Sequence, residues 1–357
     1  MSYPTLSPSI SQLLREGTVI PAHPLALTKE RRLDEKRQKL LTQYYMASGA
    51  GGVAVGVHTT QFEIRKPEIN LLEPVLRMAS EQIRDSDPGR PFIKVAGIVG
   101  PTPQALREAE LAVKHGYHLG LVSMGGLNDQ SESDLIKRLA AVAEIIPVFG
   151  FYLQPAVGGR LLSYDFWKDA ASIPNLYAIK VAAFNRYQTL DVVRAVCASP
   201  RHDDIALYTG NDDNIVADLL TTYRFDVDGK QIEKKFVGGL LGHWAAWTGA
   251  AVKLLNYIKQ SGNDNGVVSE LLSVGIKVTD MNAAIFDSAN AFHGCIPGIH
   301  EVLRRQGLLE GTWCLNPEEK LSVGQLEEID RVCHAYPGLT DDEQVKHFLE
   351  KAFSHLH

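Results

Sequence analysis

Eight short apolar runs recur along most of this chain, each followed by a stretch of helical character. That alternation limits the fold more than any other feature. The runs are Thr18–Ala22, Val53–His58, Phe92–Ile98, Leu119–Ser123, Pro147–Leu153, Leu176–Ala182, Ile205–Thr209 and Phe236–Gly242. They are nearly continuously apolar, as strands buried on both faces are. The stretches between them read as helices over residues 33–48, 68–84, from Thr102, 131–145 and 164–172, with the eighth ending near Gln260. Strand–helix units in regular order predict parallel pairing and a closed (β/α)8 barrel of about 250 residues. A doubly wound open sheet is the competing architecture. No Gly-x-Gly-x-x-Gly follows the first run, so nothing supports a dinucleotide-binding fold.

Three segments fall outside the plain alternation. Residues 1–17 are polar and Ser/Pro-rich and read as an N-terminal arm or short helix rather than a targeting peptide. Within the barrel, expected over 18–260, residues 223–235 alternate in polarity and turn at Asp228-Gly229, the mark of an inserted hairpin. Residues 261–357 carry further helical stretches at about 267–291, 298–306 and from 323 onward, and read as a C-terminal helical extension. A net charge of −6 leaves no footprint for nucleic acid or an anionic membrane surface. The four cysteines are far apart, with no Cys-x-x-Cys, and read as reduced thiols of a cytoplasmic protein. No apolar run approaches the ~20 residues that span a bilayer. His293 and His300 have no carboxylate at ligand spacing and no His-x-His or His-Glu-x-x-His occurs, so no metal site is inferred.

The sixth run, Leu176–Ala182, contains one lysine, Lys180. Burying an ammonium costs several kcal/mol unless it is paired or becomes neutral. A neutral amine is a nucleophile that forms a Schiff base with a ketone. The alternative is a strand-end lysine that snorkels to solvent. In a barrel of this kind the active site lies at the C-terminal ends of the strands. Thr59 and Thr60 follow the second run there, and Tyr152 closes the fifth. A hydroxyl pair with adjacent N–H groups suits a carboxylate, and a phenol can relay protons. Together these residues ask for a 2-oxo acid, held by its carboxylate while its carbonyl meets an amine.

These residues resemble the marks of the dihydrodipicolinate synthase / N-acetylneuraminate lyase family of class I aldolases. The family's Gly-Thr-Thr-Gly-Glu loop is matched by His58-Thr59-Thr60-Gln61-Phe62-Glu63. Its Tyr-Asn-x-Pro is matched by Tyr152-Leu153-Gln154-Pro155, and its Gly-Ile-Lys strand by Ala178-Ile179-Lys180. Tyr152 precedes Lys180 by 28 residues, as in the family. Thr209-Gly210-Asn211-Asp212-Asp213 is similar to its Ser/Thr-Gly-Asp-Asp, and Pro21–Leu41 to its first loop and helix.

The resemblance implies a barrel with C-terminal helices, a homo-oligomer (dimer or tetramer), and a lyase acting on pyruvate or a pyruvate-derived 2-oxo acid with an aldehyde partner. Lys180 then corresponds to the Schiff-base lysine and Tyr152 to the proton-shuttling phenol. Thr60, with Thr59, corresponds to the carboxylate-binding pair, and Gly210 to a backbone neighbour of the pyruvate pocket. No cofactor is expected, because the covalent imine is the electron sink. The chain also departs from the family. The loop lacks its glycines, and Ser123-Met124-Gly125-Gly126 stands where the synthases carry a tyrosine pair. Val157 stands where they carry a substrate-binding arginine, with Arg160 three residues on, so lysine biosynthesis is not the expected role. His58 is a candidate to replace part of the relay, and Asn185 to touch the distal part of a substrate, the alternative for Asn185 being a helix cap. A dehydratase of a sugar-derived 2-oxo acid and a catalytically silent metabolite-binding barrel remain as alternatives.

Overall fold

The computed structural model describes residues 3–262 and 264–354. Its strands are β1 (Val19–Pro21), β2 (Gly52–Val55), β3 (Ile93–Ile98), β4 (Leu119–Val122), β5 (Val148–Leu153), β6 (Leu176–Ala182), β7 (Ala206–Thr209), β8 (Tyr223–Val227), β9 (Lys230–Lys234) and β10 (Phe236–Leu241). Its helices are α1 (Pro8–Glu16), α2 (Glu35–Ala47), α3 (Leu72–Ser86), α4 (Thr102–Lys114), α5 (Glu132–Ala143), α6 (Tyr164–Ala171), α7 (Arg186–Cys197), α8 (Ile215–Leu220), α9 (Thr248–Gln260), α10 (Asn265–Phe286), α11 (Cys295–Arg305), α12 (Gln325–Ala335) and α13 (Asp342–Ser354). Eight strands make one sheet in the order β1-β10-β7-β6-β5-β4-β3-β2. A parallel bridge between Ala22, just past β1, and Ala54 of β2 brings the sheet back to its start. This is the (β/α)8 barrel that the alternation predicts, followed by C-terminal helices. The chain divides into two compact units, residues up to Thr18 with Ile93–Leu240, and Val19–Phe92 with Leu241 onward. The outermost residues of the expected arm (1–2) and extension (355–357) lie outside the described residues, as does Asn263.

In the first unit, β3 to β7 pair in parallel and are buried on both faces, which is why their sequences run apolar throughout. The helices between them bury residues at helical spacing: Ala105, Ala109 and Ala112 on α4, and Leu135, Leu139 and Val142 on α5. Ser131 and Ser163 cap α5 and α6 by accepting a backbone N–H through their hydroxyls. Of the arm or short helix expected for the start of the chain, the helix is found: α1 buries Ile10 and Leu14. The Tyr208 hydroxyl donates to the Leu14 carbonyl at 2.9 Å. Gly17, at φ 82°, lets the chain leave α1 where a Cβ would fall 1.8 Å from the Val237 carbonyl oxygen. β8 and β9 form the hairpin expected at 223–235, turning through Asp228 and Gly229, both at positive φ as a type I′ turn requires.

In the second unit, the stretch before α3 is not helical from residue 68. Residues 58–60 and 62–65 form 3₁₀ turns instead, and α3 begins at Leu72. The C-terminal helices are tied in by a buried carboxylate. Asp341 accepts from the Tyr44 hydroxyl at 2.7 Å, the Gly249 N–H at 2.8 Å and the Gln306 side-chain amide at 2.8 Å. It therefore joins α2, α9, α11 and the start of α13 at one point. Asp341→Ala leaves buried donors without an acceptor and is expected to cost about 2–3 kcal/mol. A melting temperature lower by several degrees checks this, and an unchanged one excludes the role.

Candidate active site

Lys180 lies in the C-terminal half of β6, opposite Phe151 of β5 and Tyr208 of β7. Residues at matching positions of adjacent parallel strands point to the same face. The Lys180 Nζ accordingly lies 4.5 Å from the centre of the Phe151 ring. The side chain is only 8% exposed, so the snorkelling alternative does not hold. Its stem fits because residue 210 has no side chain: a Cβ there would come within 2.5 Å of the Lys180 Cε and 2.9 Å of the Ala182 Cβ. Burial pulls the amine down from its ordinary value to about 8, while the negative charge of Asp212 acts in the opposite direction. At pH 7 about a tenth of such an amine is unprotonated.

Tyr152 does not stand beside Lys180, contrary to the expectation. It is opposite Val181, one residue out of phase with the Phe151–Lys180 pair, and so points to the other face of the sheet. That face looks to the helices. The Tyr152 ring lies 5.5 Å from the ring of Trp167 on α6. Its hydroxyl donates to the Leu162 carbonyl at 3.3 Å and accepts the Leu162 N–H at 3.2 Å. Burial raises its pKa further, which keeps it a neutral hydrogen-bonding group. The family-like spacing counts residues and cannot see the phase, and the β5–β6 register shifts between Val148 and Phe149. Of the two aromatic residues opposite Lys180, Phe151 carries no proton to give, and Tyr208 donates its hydroxyl to the Leu14 carbonyl.

The hydroxyls after β2 are likewise occupied within their own unit. Thr59 donates to the carbonyl of Ala22 at 2.8 Å, and Thr60 to that of His23 at 2.7 Å. The Thr60 oxygen also accepts the N–H groups of Gly56 and Val57. Both residues are at most 2% exposed, so their side chains fasten the loop to the chain beyond β1 rather than offering a carboxylate grip. His58 is half-buried, its ring 6.0 Å from that of Phe62.

Asn185 is exposed and caps α7, its side chain accepting the N–H groups of Tyr187 and Gln188. The cap alternative is the one found. Val157 ends a 3₁₀ turn after β5 and is half-buried. Arg160 does not stand free to bind substrate, since its guanidinium donates to the carbonyls of Leu127 at 2.6 Å and Gln130 at 3.0 Å. It thereby binds the loop after β5 to the loop after β4. Phe151 and Tyr208, opposite Lys180 on the neighbouring strands, and Asp212, whose charge acts on the amine, escaped the sequence reading as participants, although Asp212 stood within the Thr209–Asp213 motif. Asp212 is 5% exposed, and its N–H donates to the Gly210 carbonyl at 3.1 Å.

Under that turn lies a polar network. Asp218, fully buried on α8, accepts from the Thr209 hydroxyl at 2.7 Å, the Asn211 amide at 2.9 Å, the Asn214 amide at 3.2 Å and the Arg186 guanidinium. Asn211 in turn accepts the N–H of Phe184 at 3.0 Å, where the chain leaves β6 with φ 49°. One carboxylate therefore fixes the exits of both β6, which carries the amine, and its neighbour β7.

No family model matches the sequence, and no curated protein matches it. Solved structures do. The chain is similar to dihydrodipicolinate synthase from Oceanobacillus iheyensis, with a TM-score of 0.73 at 16% identity over 92% of this chain and 99% of that one. It is similar to N-acetylneuraminate lyase from Fusobacterium nucleatum complexed with pyruvate, with a TM-score of 0.69 at 16% identity over 91% and 99%. A prophage protein of the dihydrodipicolinic acid synthase family from E. coli K12, in complex with pyruvate, gives 0.71 at 18% over 90% and 98%. The fold is thus the one that the motif resemblance implies, spread over almost the whole chain. Among the described residues no group of His, Cys, Asp or Glu is arranged to hold a metal ion, and no helix is long and apolar enough to cross a membrane.

Two expectations follow from this geometry. Tyr152→Phe removes a donor from the Leu162 carbonyl and an acceptor from its N–H, and is expected to cost about 1–3 kcal/mol of stability. It should leave the reactivity of Lys180 intact, as measured by the rate of reductive alkylation with a small aldehyde. Lys180 itself binds fewer protons in the folded chain than in the unfolded one between pH 8 and 10.5. Its burial penalty is therefore fully present below about pH 8 and is relieved as the pH rises through that window. The stability of Lys180→Met relative to the native chain should fall by up to about 3 kcal/mol from pH 8 to 10.5, measured by denaturant titration. A flat difference would mean that the amine is not perturbed.

Proposed function

We propose that this protein is a Schiff-base-forming lyase of the class I aldolase type, acting on pyruvate or a pyruvate-derived 2-oxo acid, with Lys180 as the amine. The observation that carries the reading is the buried lysine on the sixth strand of the barrel, its pKa drawn down to about 8. Pyruvate complexes of two structures with this fold, one a lyase, support the substrate class. In the proposed reaction the neutral Lys180 amine adds to the ketone carbon, and loss of water leaves an iminium. The iminium draws electrons from the neighbouring carbon, so a bond to that carbon breaks or forms through an enamine. The second participant is an aldehyde, released or consumed as the carbon–carbon bond is cleaved or made. That chemistry asks for no metal or organic cofactor. We extend the proposal to a cytoplasmic homo-oligomer, on the strength of the reduced-thiol reading and the motif resemblance.

A second reading draws on a specific observation. The hydroxyls of Thr59, Thr60 and Tyr152, which the resemblance assigns to substrate, are all engaged by backbone groups. That favours a barrel that binds a metabolite without turning it over. A dehydratase of a sugar-derived 2-oxo acid shares the imine and differs only in the bond that breaks.

Incubation with pyruvate and sodium borohydride, followed by intact mass and peptide mapping, separates these readings. The expected result is a single reduced adduct on Lys180 that is absent from Lys180→Met. If neither pyruvate nor longer 2-oxo acids leave an adduct, the lyase reading fails and the silent barrel stands. Product analysis then distinguishes an aldolase, which yields pyruvate and an aldehyde, from a dehydratase, which loses water with its carbon chain intact.

A further inference from the structure

Helix α10 has two apolar faces, and its own unit uses one of them. Leu271, Val278, Met281 and Ile285, at coiled-coil spacing, are buried and seat the helix. On the other side Leu272 is 46% exposed and Ile276 73% exposed. They stand four residues apart, and therefore side by side. A helix that is apolar on both sides has a partner on both sides when its surface is fully used. The exposed face is also ordered around its circumference. At 3.6 residues per turn, Leu272 and Ile276 fall on one flank, Ser269 and Ser273 run along the middle, and Glu270 and Lys277 fall on the opposite flank. All six are exposed. Among the described residues neither Glu270 nor Lys277 has an ion-pair partner. The apolar pair and the charged pair are centred on nearly the same point of the helix, next to Ser273.

We propose that this face of α10 binds a second copy of the chain through its own α10, antiparallel, about a two-fold axis beside Ser273. The proposal gives a surface to the homo-oligomer reading and rests on it. An antiparallel two-fold brings each flank of the helix against its own counterpart. Leu272 and Ile276 of the two copies then cover one another. The Glu270 carboxylate of each copy comes beside the Lys277 ammonium of the other, because the two charges lie at opposite ends of the stripe. Ser269 and Ser273, small and central, let the two backbones approach closely. A parallel pairing fails on the same residues, since it sets the apolar flank of one copy against the charged flank of the other. The face is thus complementary to itself, which a surface shaped for an unrelated protein has no reason to be. Its length sets the strength. The exposed stripe covers residues 265–277, about 20 Å of helix at 1.5 Å per residue. That is too short to bury the ~1,600 Å² of a standard interface. The contact taken alone is therefore weak and reversible.

Cross-linking tests the pairing and its register. Ser273→Cys is made in a Cys333→Ser background, where the remaining native cysteines are buried. Mild oxidation of the concentrated protein should give a disulfide-linked dimer as the main product, because the axis brings the two thiols within disulfide reach. Lys277→Glu places like charges together on both sides of the axis and should slow cross-linking at least about fivefold. Adding Glu270→Lys to that variant should restore the rate, and Ile276→Glu should abolish the dimer. Circular dichroism confirms that each variant is folded, which these exposed positions favour. Size-exclusion chromatography with light scattering reports the oligomer of the native chain independently. A native oligomer whose cysteine at 273 does not cross-link overturns the α10 pairing and leaves the homo-oligomer reading in place. Cross-linking that is indifferent to the charge reversal and its swap also overturns the pairing, since random encounter behaves in that way. A chain that is monomeric at every concentration and does not cross-link overturns both.

Discussion

The burial of one amine sets the terms for the rest of the first unit. Lys180 is held among β5, β6 and β7, where it is largely buried and the charged form is disfavoured. The neighbours answer that constraint in different ways. Gly210 gives up its side chain so that the lysine stem can pass, and Phe151 offers the face of a ring to Nζ. Asp212 opposes the loss of the proton without cancelling it. An amine left alone there would become a neutral, inert filler, and an amine paired too closely would stay an ammonium. The intermediate state is the one that suits nucleophilic chemistry near neutral pH.

Much of this was legible in the sequence, and for a physical reason. Strands buried on both faces must be apolar throughout, so the sheet is written as separate runs and a lone lysine inside one of them stands out. The hairpin at Asp228-Gly229 was legible because its two central residues need positive φ. What the sequence concealed was phase. Tyr152 and Phe151 are adjacent and both aromatic, and only the pairing of β5 with β6 decides which one meets Lys180. A shift of register near Val148 reverses that choice without altering the spacing of the motif residues along the chain.

Hydrogen-bond partners were concealed for a related reason. A hydroxyl at a strand end is equally suited to a ligand or to the nearest carbonyl, and the sequence does not say which is closer. Thr59 and Thr60 meet the carbonyls of Ala22 and His23, which lie almost forty residues earlier and are brought near only when β1 closes onto β2. Asn185 was readable both ways as well, and its own helix supplied the donors. Asp212 lay in plain sight within a motif, yet its relation to Lys180 arises only through the turn after β7.

That turn shows why a buried carboxylate can be worth its desolvation at this point. Asp218 touches none of the groups proposed to react, but it receives hydrogen bonds from Thr209, Asn211, Asn214 and Arg186 together. Replacing such a network by apolar groups would often be neutral for stability. It would not, however, hold two strand exits in one register. Asn211 bridges the network to the N–H of Phe184 after β6, so a displacement of either loop breaks bonds in the other. The strand that carries the amine and the turn after β7 therefore share one footing. The cost of burying Asp218 is better understood as holding these two strand exits together than as stabilising the barrel.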